Sequence, residues 1–162
     1  MSALPVGQSE RRSGALLDYL ARRMRLRSES VLAPLGLRPR HLVALTVLRD
    51  AGGISQQGLA STLQIDSTNV VGLLNDLEAA HLVERRRSPE DRRRHDVFLT
   101  ETGAIRLGEA ECALASAEEE VLGALEPAER DLLYELLKRA TSGAPANCAA
   151  AVTDDAGLDA NC

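Results

Sequence analysis

Residues 82–100 read LVERRRSPEDRRRHDVFLT, and this stretch decides the fold. Two short runs, 82–87 and 95–100, read as strands and flank the polar segment SPEDRRR. That polar segment is too short for anything but the tip of a hairpin. The second run alternates so that Val97 and Leu99 face one side. Six arginines, 85–87 and 92–94, fall within ten residues of this hairpin.

Outward from the hairpin the periodicity is helical. Toward the N-terminus, Val70, Leu73, Leu74 and Leu77 form an inner face that Asp66 or Ser67 can cap. Ser55 can cap a shorter helix with Leu59, Ala60 and Leu63. Before it, Pro39 suits a first helical position, Leu42, Leu45 and Leu48 make the stripe, and Gly52-Gly53 ends it. Leu16, Leu17, Leu20, Met24 and Val31 continue a first helix that Pro34 and Gly36 close. Toward the C-terminus, Thr100 can cap a long helix reaching about Leu125. Pro127 opens a last one with Leu132, Leu133, Leu136 and Leu137 on its buried stripe.

Two short helices joined by a tight turn and followed by a β-hairpin make a winged helix-turn-helix. The fold class is mainly α with a small β-hairpin wing and a helical dimerisation region. Its expected organisation is a flexible tail over 1–10, a dimerisation helix over 11–35 and the winged unit over 36–100. Dimerisation helices follow over 101–141, then a disordered tail over 142–162. That tail holds too few large apolar side chains to offset its ordering entropy.

Charge fits this division. The chain of 162 residues carries a formal net charge of −5, which by itself argues against nucleic acid. Residues 1–100, however, hold 15 basic and 11 acidic side chains, and residues 101–162 hold 4 and 13. The charge is segregated, so the total is a poor guide to partners. The second helix of the pair, 66–80, can enter a major groove with its N-terminal end toward the bases. Ser67, Thr68, Asn69 and Asn75 on its exposed face suit phosphates or base edges. Arg86, Arg92, Arg93 and Arg94 on a thin loop suit the minor groove, whose negative potential deepens where it narrows. The bland alternative for the hairpin is a solvated turn, and for Ser67 and Asn69 plain capping or surface roles.

Other classes fall away. No apolar run approaches the ~18 residues of a membrane helix, and the N-terminus lacks the apolar core of a signal peptide, so a cytoplasmic protein is expected. Cys112, Cys148 and Cys162 are too few for a disulfide framework or a CxxC site. Cys112 reads as a small buried hydrophobe. His41, His81 and His95 with Cys112 lack metal-ligand spacing, so no metal or other cofactor is expected. No GxSxG, P-loop, GxGxxG or HExxH occurs, and no catalytic residues are assigned.

Asp91-Arg92-Arg93 followed by Val97-Phe98-Leu99-Thr100-Glu101-Thr102-Gly103 resembles the wing signature of the MarR family, D-x-R then V-x-L-T-x-x-G. Gly36-Leu37-Arg38-Pro39, Leu59-Ala60-Ser61-Thr62-Leu63, and Leu77-Glu78 leading into Leu82-Val83-Glu84-Arg85 match in the same order. The resemblance covers roughly residues 12–140. It implies six helices per subunit and a homodimer joined by the terminal helices, each winged unit taking one half-site of a pseudo-palindromic double-stranded DNA operator. Arg93 resembles the wing arginine that enters the minor groove, and Asp91 the carboxylate that holds the wing in shape. The chain departs from many members at Gly72 and Asp76, where basic residues are found, and at His81, where glycine is usual.

The resemblance also implies a transcriptional regulator, a repressor relieved by a small anionic or aromatic effector. The basic lining of Arg22, Arg23, Arg40 and His41, with Tyr19, is the expected ligand site. His41 alone also reads as an ordinary surface or interhelical histidine. Two other readings stand beside this one: a winged-helix adaptor that binds an acidic protein, and a redox-sensing regulator using Cys112.

Overall fold

A computed structural model describes residues 12–91 and 93–142 of the chain. Arg92, nearly all of both expected tails, Cys148 and Cys162 lie outside the described residues. Helix α1 spans Ser13–Leu32, and a single 3-10 turn at Ala33–Leu35 ends at Gly36, whose φ of 70° is the left-handed conformation glycine takes at least cost. Helix α2 is Pro39–Ala51, with proline at its first position as expected. Strand β1, Ile54–Ser55, leads directly into α3, Gln56–Leu63. Helix α4 is Ser67–Ala79, strands β2 and β3 are Val83–Arg87 and His95–Leu99, and α5 and α6 are Glu101–Val121 and Pro127–Ala140.

The capping chemistry sets the helix starts. Ser55 Oγ accepts from the Gly58 N–H at 3.0 Å, Asp66 Oδ1 from Asn69 N–H at 2.8 Å, and Thr100 Oγ1 from Gly103 N–H at 2.9 Å. Of the two candidate caps for α4, Asp66 is the one used.

The wing is a three-stranded antiparallel sheet rather than a hairpin alone, in the order β1-β3-β2. Val97 pairs with Arg85 on one side and with Ile54 on the other. The core lies under this sheet and between the helices, with Leu32, Leu45, Leu48, Leu59, Val70, Leu74, Leu77, Val97 and Leu107 fully buried.

Three expectations need correction. Helix α5 stops at Val121 rather than near Leu125: Leu125 N–H turns back to Leu122 O at 2.9 Å, and Glu126, preceding Pro127, is extended. The leucines of α6 are not buried within the chain. No residue of α6 is, and Leu132 is 59% exposed, because this helix docks no face against the core. Cys112 is exposed, since α5 turns Leu107, Ala110, Ala117 and Val121 inward and Cys112 falls off that stripe.

His81 holds a φ of 58°, a left-handed position that glycine would fill more cheaply. Its carbonyl accepts from Thr100 Oγ1 at 2.7 Å. Gly103 is fixed by crowding: a Cβ there would stand 2.0 Å from Leu82 O. The start of α5 is thereby held tightly against the start of β2.

Candidate nucleic-acid interface

Helix α4 buries Val70, Leu73, Leu74 and Leu77, so helical geometry turns Thr68, Gly72 and Asn75 to the opposite face. A Cβ built on Gly72 would meet nothing within 4 Å, so this face has open space above its backbone. Ser67 and Asn69 are also exposed. Asn69 is tied back to the cap, its Nδ2 donating to Asp66 Oδ2 at 2.7 Å. The Asn69 backbone N–H holds the Asp66 carboxyl below its ordinary pKa, partly offset by desolvation.

Asp76 does not point away from the protein as a free acid. Arg40 Nη2 stands 3.4 Å and His41 Nε2 3.6 Å from its Oδ2, turning it toward α2. His41 is buried, and its Nδ1 accepts from the Arg38 N–H at 3.2 Å, which places the neutral ring's proton on Nε2. Nε2 has no hydrogen-bond partner among the described residues, 3.6 Å being too long for one. Burial, then the Arg40 charge, lowers the imidazole pKa against the opposing pull of Asp76.

The wing tip is shaped by Asp91. Its Oδ1 accepts from the Arg93 N–H at 2.9 Å and its carbonyl from the Arg94 N–H at 2.9 Å, while Ser88 N–H donates to Arg94 O at 2.9 Å. The Arg93 side chain is exposed. Arg94 reaches Gln57 Oε1 on α3 at 3.2 Å, and Arg86 pairs with Glu84 and lies 4.9 Å from the Phe98 ring centroid. Arg85 behaves differently, bonding Glu78 and Asn75 on α4.

The five residues expected to line a ligand site lie on two helices, Tyr19, Arg22 and Arg23 on α1 and Arg40 and His41 on α2. On α1, Arg23 stacks over Tyr19 at 5.9 Å and lines a groove with Leu26, Arg27 and Glu120. On α2, Arg40 and His41 face Asp76 of α4.

Two residues on or behind this surface escaped the sequence reading. Val71 is 37% exposed beside the outer stripe and can meet a thymine methyl group. Its signal was the Val70-Val71 pair, only one of which can face inward on a helix. Gln57, the partner of Arg94, carries no signal, because the contact joins residues 37 apart in the chain. Among the described residues no group of three or more His, Cys, Asp or Glu could hold a metal ion.

A family model described as MarR family matches residues 35–94. The transcriptional regulator HosA of Escherichia coli O111:H- is 30% identical over 102 residues, covering 63% of this chain and 75% of HosA. The chain belongs to the MarR family. A putative transcriptional regulatory protein for the hcr operon of Thauera aromatica is 35% identical over 104 residues, 64% of this chain. That match spans 63% of the Thauera protein, less than two thirds of its length. Among solved structures, the transcriptional repressor CouR bound to a 23-mer DNA duplex is 31% identical with a TM-score of 0.69, covering 86% of this chain and 99% of CouR. The two relatives HosA and the Thauera protein are named as regulators of transcription and not as enzymes. Among the described residues no single helix is long and apolar enough to cross a membrane.

Proposed function

We propose that this chain is a cytoplasmic, sequence-specific DNA-binding regulator that acts as a homodimer on a pseudo-palindromic operator. The observation that carries this reading is the pairing of two exposed elements. The outer face of α4 offers Thr68, Gly72 and Asn75, and a wing tip shaped by Asp91 leaves the Arg93 side chain exposed. Helix α4 lies in the major groove and Arg93 enters the adjacent minor groove. The duplex bound to CouR supports this reading. Asp76, held by Arg40 and turned toward α2, costs less repulsion against phosphate than a free carboxylate would.

The dimer uses α1, α5 and α6. Leu16, Leu132 and Leu136 are exposed on the terminal helices, and a second copy gives them a face to bury against. Binding represses transcription, and a small anionic or aromatic effector relieves it at the junction of the dimer and winged parts.

Fluorescence anisotropy with the DNA upstream of the chain's own gene tests the central statement. Arg93→Ala weakens binding by about 1–3 kcal/mol if the wing reads the minor groove. Unchanged affinity removes that role. Affinity also falls steeply with salt as phosphate counterions are released. A flat response points instead to an acidic protein partner. Calorimetry against anionic and aromatic metabolites tests the effector, and binding with no change in DNA affinity counts against it. Exposure of Cys112 keeps an oxidant-responsive reading open, and it requires Cys112→Ser to abolish a peroxide response while DNA binding persists.

A further inference from the structure

Arg85 is the hairpin arginine that turns inward. Its side chain is only 19% exposed; Nε donates to Glu78 Oε2 at 3.1 Å, and Nη2 stands 3.0 Å from the same oxygen and donates to Asn75 Oδ1. One side chain on β2 therefore grips two positions on α4, one helical turn apart.

The contact with Asn75 has a chemical consequence. A guanidinium only donates hydrogen bonds, and in an amide only the oxygen accepts them. Arg85 thus fixes which way round the Asn75 amide sits, since turning it over would set N–H against N–H. With Oδ1 committed to Arg85, the Nδ2 amino group is the free half, and among the described residues it has no partner. Asn75 is exposed on the same stripe as Gly72, where the helix backbone has open space above it. Asn69 is held in the opposite sense, with Nδ2 spent on Asp66 Oδ2. The two asparagines of one helix are not interchangeable readers.

We infer that Arg85 is a positioning residue for base readout, holding Asn75 as a hydrogen-bond donor to the major groove. Both purines offer the N7 acceptor there, guanine O6 besides, and thymine O4, whereas cytosine offers only its N4 donor. Bidentate pairing with adenine needs the asparagine oxygen turned to the N6 amino group, and Arg85 draws that oxygen toward the wing. The inference rests on α4 being the DNA-reading helix proposed above.

Selection of binding sites from a randomised duplex pool by the full chain tests it, with thermal unfolding run on each variant. Wild type selects against cytosine at one position of each half-site. Arg85→Leu reduces that preference by about 3–10-fold, the size of one hydrogen bond, and leaves the other positions as they were. Arg85→Lys retains part of it, because an ammonium still donates to Oδ1. Asn75→Asp is isosteric, keeps the acceptor for Arg85 and loses the donor, so the preference there moves toward cytosine. This variant decides the matter if Arg85→Leu does not fold.

An Arg85→Leu variant that weakens all sequences alike overturns the inference, leaving Arg85 a structural brace. A salt slope smaller by about one also overturns it, by making Arg85 a phosphate contact. Asn75→Asp with an unchanged preference does the same. Wild type selecting no sequence at all removes the DNA reading itself, and this inference with it. Wild type selecting a site that Arg85→Leu and Asn75→Asp both select unchanged removes the inference alone.

Discussion

In the segment from α2 to α4, Leu45, Leu48, Leu59, Leu74 and Leu77 are buried inside the chain, while in α6 no residue is buried and Leu132, Leu136 and Leu137 face outward. Both regions carry apolar residues at the three- and four-residue spacings of an amphipathic helix. The difference lies in their surroundings. Helices α2, α3 and α4 close on one another, on β3 and on the first half of α5. Helix α6 begins after a turn and finds no such neighbours. Periodicity identifies the face to be covered, and only the packing shows whether the same chain covers it.

The largest effect that could break this contrast is in the core. Leu74→Ala should cost about 2–5 kcal/mol in urea unfolding, the range for a leucine truncated where neighbours cannot collapse. Leu136→Ala should cost far less at protein concentrations low enough to keep the chain monomeric. Equal losses would erase the distinction. Next, Leu132→Glu combined with Leu136→Glu should halve the mass seen by sedimentation and abolish operator binding. A variant that sediments as wild type does would mean that the α6 face is not the interface.

A smaller effect tests the winged half. Folding lowers the His41 pKa below its ordinary value of 6.5, through burial and then Arg40, so the unfolded chain takes up the proton first. The stability this residue contributes is complete above the unfolded value and is lost as pH falls from there through the folded value. Wild type should therefore melt at a lower temperature at pH 5.5 than at pH 7.5. His41→Asn, which can still accept from the Arg38 N–H but does not titrate, should show a shallower dependence. The same slope in both proteins would assign it to other groups. The smallest change expected is from Asp66→Ala, which should speed amide exchange at Asn69 while leaving the exchange of core amides in α2 alone. Protection unchanged at Asn69 would mean that the cap is not what holds the start of α4.

Most of the architecture was legible because its signals are local. Caps at Ser55, Asp66 and Thr100, the prolines opening α2 and α6, and the polar tip between β2 and β3 each act within a few residues. Strand β1 was missed because Ile54 and Ser55 are too few to show alternation, and they become a strand only by pairing with Val97 and Asp96. Cys112 was misplaced because the inner stripe of α5 begins with Gly103 and includes Ala110 and Ala117, so its hydrophobic contrast is faint. On the candidate surface, the residue types at 67, 68, 69, 75 and 93 were readable, but their pairings were not. Nothing local in the chain says that Arg85 will hold Asn75, or that Asp76 will turn to Arg40 and His41.

The junction of Thr100 and Gly103 with His81 and Leu82 bears on how a signal could travel. Thr100 Oγ1 bridges the His81 carbonyl and the Gly103 N–H, and Gly103 packs where even a methyl group would collide with Leu82 O. There is no slack at this joint for α5 to slide past the foot of the hairpin. The long helix and the wing are keyed together at this joint. A rotation of α5 that kept these contacts would carry the wing with it.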